Sequence, residues 1–210
     1  FRACRRAGTL TMSTIGAVRH AAKAQEAGAD VLVAQGWEAG GHNSGVASMA
    51  LLPQVARIAR VPVLAAGGIA GGAGLVAALA LGASGAYMGT VFAASREARA
   101  HAHYKDAVLA AADTSTTVTK AHSGKPARMI KNAFTQHYED HPEEIKPFPQ
   151  QWAQNEPLAV EVRVDGHLDR GPIPAGQIAG FLAASETASE ILDRIMAEAR
   201  ETLETGMASR

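Results

Sequence analysis

Two patterns alternate along the first part of the chain. "VLVAQG", Val31 to Gly36, is a short unbroken apolar run, the pattern of a strand covered on both faces. The preceding "GAVRHAAKAQEAGAD" puts Val18, Ala21, Ala22 and Gln25 on one helical face. Gly28 is placed to end that helix, and Ser13 or Thr14 can cap its start. "MALLPQVARIAR" predicts the next helix, with Pro53 near its start. "VPVLAAGGI" predicts a strand, "GGAGLVAALALGAS" a helix closed by Gly82, and "GAYMGTVFAAS" a third strand running into a loop. Upstream, "TLTMSTI" supplies a further strand. Strand, glycine-rich loop and helix recurring every roughly 25 to 30 residues predict βαβ units and a parallel sheet.

From residue 103 the cadence is lost. "YKDAVLAAAD" reads as helix, "TSTTVT" as extended chain, and "KPARMIKNAFTQHY" as helix again. "EDHPEEIKPFPQQWAQNEP" is rich in proline and charge and reads as an irregular connection. The C-terminal stretch predicts an amphipathic helix with a stripe of Ile191, Leu192, Ile195, Met196, Ala199 and Leu203. The expected fold class is α/β: a TIM-type (β/α) barrel of which only about the last four βα units are present, plus a C-terminal helical extension. The expected domains are 1–102, the barrel part, and 103–210, an extension packed on it.

Composition narrows the function classes. Lys+Arg and Asp+Glu each number 20, so no charge excess points to nucleic acid or an acidic membrane. The chain has one cysteine, Cys4, which excludes an internal disulfide and fits a reducing, cytoplasmic setting. No apolar run is long enough to span a bilayer. "FRACRRAGTL" is basic without an apolar core, unlike a secretion signal, and lacks an initiator methionine. A closed barrel has eight βα units and ~250 residues. The expectation is a homo-oligomer or a preceding half-barrel that completes this one.

Parallel β/α folds bind ligands beyond the C-terminal ends of their strands. The polar and glycine residues collect there. Gln35 offers an amide, and Gly40 and Gly41 permit positive φ or a close approach. His42 is the side chain of that loop suited to proton transfer near neutral pH. A solvated or cap-bonding role suits Glu38 at least as well as a catalytic one. Gly67 and Gly68, with Gly71 and Gly72 before a helix, could offer backbone N–H groups to an anion; a tight turn would need the same glycines. Gly89 and Thr90 could complete that cradle. Lys125, Arg128 and Asn132 could reach the same mouth, or simply cap and pack. His101, His103 and Tyr104 lack the spacing and companions of a metal site, and no metal is expected.

"AQGWEAGGHNSG", "LLPQVARIARVPVLAAGGIAGGAGLVAALALGASGAYMGTVFAAS", "GKPARMIKN" and "PIPAGQIAG", in that order, resemble the C-terminal half of the nitronate monooxygenase family, formerly the 2-nitropropane dioxygenases. The resemblance runs from about residue 8 to 200. It implies a TIM barrel holding FMN, with His42 as the active-site base. The implied FMN contacts are Gln35, Gly40, Gly41, Gly68, Tyr87, Met88, Gly89 and Thr90. The implied reaction is oxidation of an alkyl nitronate or nitroalkane by O2. The same resemblance admits an FMN-dependent NAD(P)H reductase, acting on an enoyl-acyl-carrier protein or a quinone, or a non-catalytic half-barrel. Two positions depart from the family pattern: Val91 replaces a common arginine, and Asn43 follows the histidine.

Overall fold

The computed structural model describes residues 1–206 of the 210-residue chain. In chain order its helices are α1 (Arg2–Arg6), α2 (Val18–Glu26), α3 (Ser48–Ile58), α4 (Gly72–Ala80), α5 (Thr90–Ala93), α6 (Ala102–Leu109), α7 (Ala133–Asp140), α8 (Gln150–Val160) and α9 (Ala188–Thr205). Its strands are β1 (Met12–Ile15), β2 (Val31–Gln35), β3 (Gly41–His42), β4 (Val63–Ala66), β5 (Gly85–Ala86), β6 (Thr116–Thr119) and β7 (Ala127–Ile130). The chain divides into two compact units. One comprises Phe1–Glu38, Ser44–Met88 and the segment from Asp193 onward; the other comprises Ala39–Asn43 and Gly89–Leu192.

The first unit is α/β. Its sheet runs β1-β2-β4-β5, and every neighbouring pair is parallel. The apolar run of β2 lies in the middle, with Leu32, Val33 and Ala34 buried. Leu51, Leu52 and Val55 of α3, Ala21 and Ala24 of α2, and Ala78 of α4 share the core with Leu32, Ala34 and Ala65. Burying each such leucine or valine stabilises the fold by about 1.5–3 kcal/mol. Gly28 and Gly82 end α2 and α4 at φ 94° each, the left-handed backbone that favours glycine.

Local details depart from the pattern-based reading. Ser13 and Thr14 lie inside β1, and α2 starts after Ala17 with no side-chain cap. Pro53 stands inside α3 rather than at its first turn. The apolar face of α3 is buried deeply enough to tolerate the missing N–H. The strand expected from Gly85 onward stops at Ala86; Thr90 already opens the four-residue helix α5.

The second unit holds an antiparallel sheet of order β3-β7-β6. The expectation of helix across "KPARMIKNAFTQHY" is corrected in its first half. Ala127–Ile130 is a strand with all four residues buried, paired with β6 on one edge and β3 on the other. A four-residue stretch, here Ala-Arg-Met-Ile, is too short to show a period of its own, so its partners decide. Helix begins only after Asn132, whose side chain accepts from the Thr135 N–H in a reciprocal capping box. The irregular connection is corrected as well, because Gln150–Val160 is helix despite Pro157. Gln151 and Asn155, four residues apart, are buried on one face, and both donate to the Ala121 carbonyl, at 2.7 and 2.8 Å.

Of the stripe expected on α9, Ile191, Ile195 and Ala199 are buried, whereas Leu192, Met196 and Leu203 are exposed. Within the first unit, α9 closes over the start of α4. The Glu198 carboxylate accepts the Gly72 N–H at 2.7 Å, and a Cβ at Gly72 would run into the backbone at Ala199. Gly72→Val therefore loses the folded state, read as collapse of the thermal unfolding midpoint by circular dichroism. Glu198→Gln keeps the fold and costs about 0.5–2 kcal/mol, the usual worth of a helix cap.

Candidate functional site

In the first unit the expected residues follow the C-terminal ends of three adjacent strands. Gln35 is the last residue of β2, paired with Ala66 of β4. Gly67 and Gly68 come directly after β4 at φ 95° and 75°. An added Cβ at Gly68 would only touch Glu38 at 3.7 Å, so backbone conformation rather than crowding calls for glycine there. Tyr87 and Met88 follow β5. The Tyr87 N–H donates to Ala65 at 2.7 Å, leaving its side chain exposed, and Met88 packs against the core.

Two carboxylates at these strand ends are already engaged. Glu38 accepts the Ser48 N–H at 3.1 and 3.0 Å through its two oxygens, and lies 3.0 Å from the Ser48 hydroxyl. It caps α3, favourable for an anion beside the positive end of a helix. The anion position expected at Gly72 is filled by Glu198, as described above.

In the second unit, Gly40 and Thr90 meet the same partner. A Cβ on Gly40 would lie 2.6 Å from the Ala175 carbonyl carbon and 2.7 Å from the Gly176 nitrogen. The Gly176 N–H donates to Thr90 Oγ1 at 2.9 Å. The "PIPAGQIAG" segment is thus seated on both residues. Gly41 (φ 72°) and Gly89 each have open space where a side chain would stand. Val91 is buried, and Asn43 donates through Nδ2 to Ala39 at 3.3 Å.

His42 sits opposite Ala127 in the β3–β7 ladder. Its Nε2 lies 2.5 Å from the hydroxyl of Ser123, which has no exposure. The His122 ring is 6.0 Å away, and its Nδ1 is buried without a hydrogen-bond partner. Burial, then the Lys125 charge, lowers the His42 pKa. Burial lowers that of His122 too, followed by the His42 charge; Glu156 pulls upward and Arg163 downward. Sequence reasoning missed His122 and Ser123. The available signal was their place in "AHS", the three residues directly before "GKPARMIKN".

The remaining candidates take structural roles. Lys125 Nζ stands 3.8 Å over the Phe148 ring. Arg128 is buried and donates to Thr116 Oγ1 at 2.9 Å. Asn132 caps α7 and also donates to Leu168 and Gly171. His101 caps α6, His103 faces the Gly166 carbonyl, and the Tyr104 hydroxyl donates to Pro174. Burial pushes the Tyr104 pKa up to about 12. Cys4 is an exposed free thiol. Among the described residues, no helix is long and apolar enough to cross a membrane.

A parallel α/β sheet with glycine and polar strand ends, joined in sequence to a histidine loop, defines a class that the comparisons name. A family model described as nitronate monooxygenase matches residues 2–198. The nitronate monooxygenase of Paraburkholderia phytofirmans is 36% identical over 211 residues, covering 95% of this chain and 57% of that protein. The solved structure of FabK from Thermotoga maritima superposes with TM-score 0.90 at 35% identity, over 98% of this chain and 65% of that one. Nitroalkane oxidase from Streptomyces ansochromogenes gives TM-score 0.86 at 32% identity, over 96% and 60%. The chain belongs to the nitronate monooxygenase family. It spans little more than half the length of that curated relative.

Two outcomes test the second-unit cluster. Asn155→Ala removes one of two donors to the buried Ala121 carbonyl and costs about 1–3 kcal/mol in chemical denaturation. The histidines give a pH dependence. Their folded pKa values lie below the ordinary value of 6.5, so the unfolded chain binds more protons in that range. Their contribution is present above the ordinary value and is lost as pH falls through it and through the lower folded values. His122→Asn flattens this loss, measured as the unfolding midpoint between about pH 7.5 and 5.

Proposed function

We propose that this chain takes part in FMN-dependent oxidation of alkyl nitronates or nitroalkanes by O2, with His42 as the base. Family membership supports the reaction class, and one observation carries the base assignment: an imidazole held in a defined orientation by a buried hydroxyl, in the EAGGH loop. The β1-β2-β4-β5 sheet is then the last four βα units of a TIM-type barrel. The remaining units would come from a preceding segment or a second chain.

The residues present fit a flavin phosphate in part. Gly68 turns the backbone beyond a parallel strand, and Gly89 leaves open space. The N-terminus of α4 is excluded as a phosphate cradle, since Glu198 fills it. The FMN contacts carried over from the family resemblance are Gln35, Gly40, Gly41, Gly68, Tyr87, Met88, Gly89 and Thr90. For Gly40 and Thr90 the contribution runs through the Gly176 backbone they hold. When bound, the flavin supplies the electron acceptor of the reaction.

His42 acts before that. A neutral nitroalkane has to lose its α-proton, and a neutral imidazole can take it. The lowered pKa keeps the ring neutral and ready at physiological pH. A nitronate arrives already ionised, so His42 then serves only to orient it.

The second reading is an FMN-dependent NAD(P)H reductase of the same superfamily. The fold likeness to FabK, at least as close as that to nitroalkane oxidase, leaves this reading open. Anaerobic addition of NADH or NADPH separates the two: a bleached flavin supports the reductase, an unchanged spectrum the oxygenase.

His42→Asn slows oxidation of neutral nitroalkanes by about 10²–10⁴-fold, the worth of general base catalysis, and largely spares pre-formed nitronates. Oxygen consumption on both substrate forms checks this, and equal losses on both would argue against the base. FMN binding is read separately, by quenching of flavin fluorescence on titration with the protein.

A further inference from the structure

The end of α7 gathers two histidines and two glutamates that the candidate site does not use. His137 and His141 stand one helical turn apart, so their rings share a face, with centroids 5.1 Å apart. Pro142 has no N–H with which to continue the α-helix, and a short 3-10 helix, Pro142–Glu144, follows. That turn folds both glutamates back onto the histidines. His137 Nε2 lies 2.9 Å from Glu144 Oε2, and His141 Nδ1 lies 3.5 Å from Glu143 Oε1. One donor atom each from His141, Glu143 and Glu144 falls within 4.8 Å of the others. The sequence "HYEDHPEE" holds four carboxylates without showing which of them join the histidines; the turn selects two.

The backbone beneath the cluster is held. The His141 N–H donates to His137 at 2.9 Å, and the Glu144 N–H to His141 at 3.1 Å. On the inner side Phe134 and Tyr138 are buried, and Ile145 packs against them. Arg170 lines the same hollow as His137, but Glu161 engages it at 2.9 Å. An isolated exposed histidine–glutamate pair is worth little. Here two such pairs converge on one point.

We propose that His137, His141, Glu143 and Glu144 form a binding site for a divalent transition-metal ion, with Zn²⁺ as its type. The site is separate from His101 and His103, where no metal is expected, and does not depend on the FMN reading. Imidazole nitrogens favour Zn²⁺ and its neighbours over Ca²⁺ and Mg²⁺, which take oxygen ligands. The ion takes the place of the proton between each ring and its carboxylate. Two neutral imidazoles and two carboxylates then balance its charge. A tetrahedral site with bonds of about 2.0–2.2 Å has donors roughly 3.5 Å apart. All four side chains are exposed and can turn to close the remaining distance. Four protein ligands leave no open position, so the ion clips the end of α7 to the turn after it and does no chemistry.

The test is calorimetric titration of the untagged, EDTA-treated full chain with Zn²⁺, carrying Cys4→Ser so that the exposed thiol takes no metal. One ion per chain is expected. His141→Asn and Glu144→Gln each weaken binding by about 10–100-fold or more, since loss of even a supporting group costs that much. Glu139→Gln, in the same segment but outside the set, changes it little. Zn²⁺ also raises the thermal unfolding midpoint, and His137→Asn removes the rise. Absence of Zn²⁺ binding overturns the proposal. So does Ca²⁺ or Mg²⁺ binding as tightly as Zn²⁺, which would mark an acidic surface only; both results are read without altering the cluster. Undiminished binding in His141→Asn would place the ion elsewhere and overturn it too.

Discussion

One carbonyl anchors the arrangement around His42. Ala121 accepts hydrogen bonds from Gln151 and Asn155, two buried amides one helical turn apart on α8. A buried carbonyl with both lone pairs engaged does not shift cheaply, and neither do the amides that serve it. The next two residues are His122 and Ser123, so the position of the serine hydroxyl is inherited from this bond. On the opposite side, the β3–β7 ladder sets Gly41 against Arg128 and His42 against Ala127. The histidine is in a loop by sequence, but its orientation comes from a sheet and a helix far along the chain.

The first unit illustrates how helix ends consume polar residues that look functional. Glu38, beside a glycine-rich loop, and Glu198, near the C-terminus, both present a carboxylate to the start of a helix. The unsatisfied N–H groups there are an anion site, and the chain supplies its own anions. Neither carboxylate therefore serves as a ligand group at these strand ends. Gly40 teaches the same lesson in the second unit: its missing Cβ makes room for the backbone of Ala175 and Gly176.

Family membership and fold likeness bear on different questions. The family model and the curated relative establish which family the chain belongs to. The superpositions on FabK and on nitroalkane oxidase are similarly close, at TM-scores 0.90 and 0.86, so the backbone alone does not choose between the two readings proposed above. Side chains at the strand ends make that choice, as they do wherever one fold carries several chemistries.

The parallel sheet was legible in the sequence because β2 and β4 are short, largely apolar runs that each end on glycine, and such runs have few alternatives once both faces are buried. The histidine loop was legible because glycine and a titratable side chain gather at a strand end. The strand at Ala127–Ile130 and the helix through Pro157 were not, since a four-residue run and a proline-bearing segment take their form from partners distant in sequence. Ser123 and His122 belong with them. Their place beside "GKPARMIKN" marks the turn, but only the folding of α8 and β3 around Ala121 and Ala127 brings the Ser123 hydroxyl to His42. Short-range chemistry chose the elements, and long-range burial, which no window of sequence contains, chose which side chains meet.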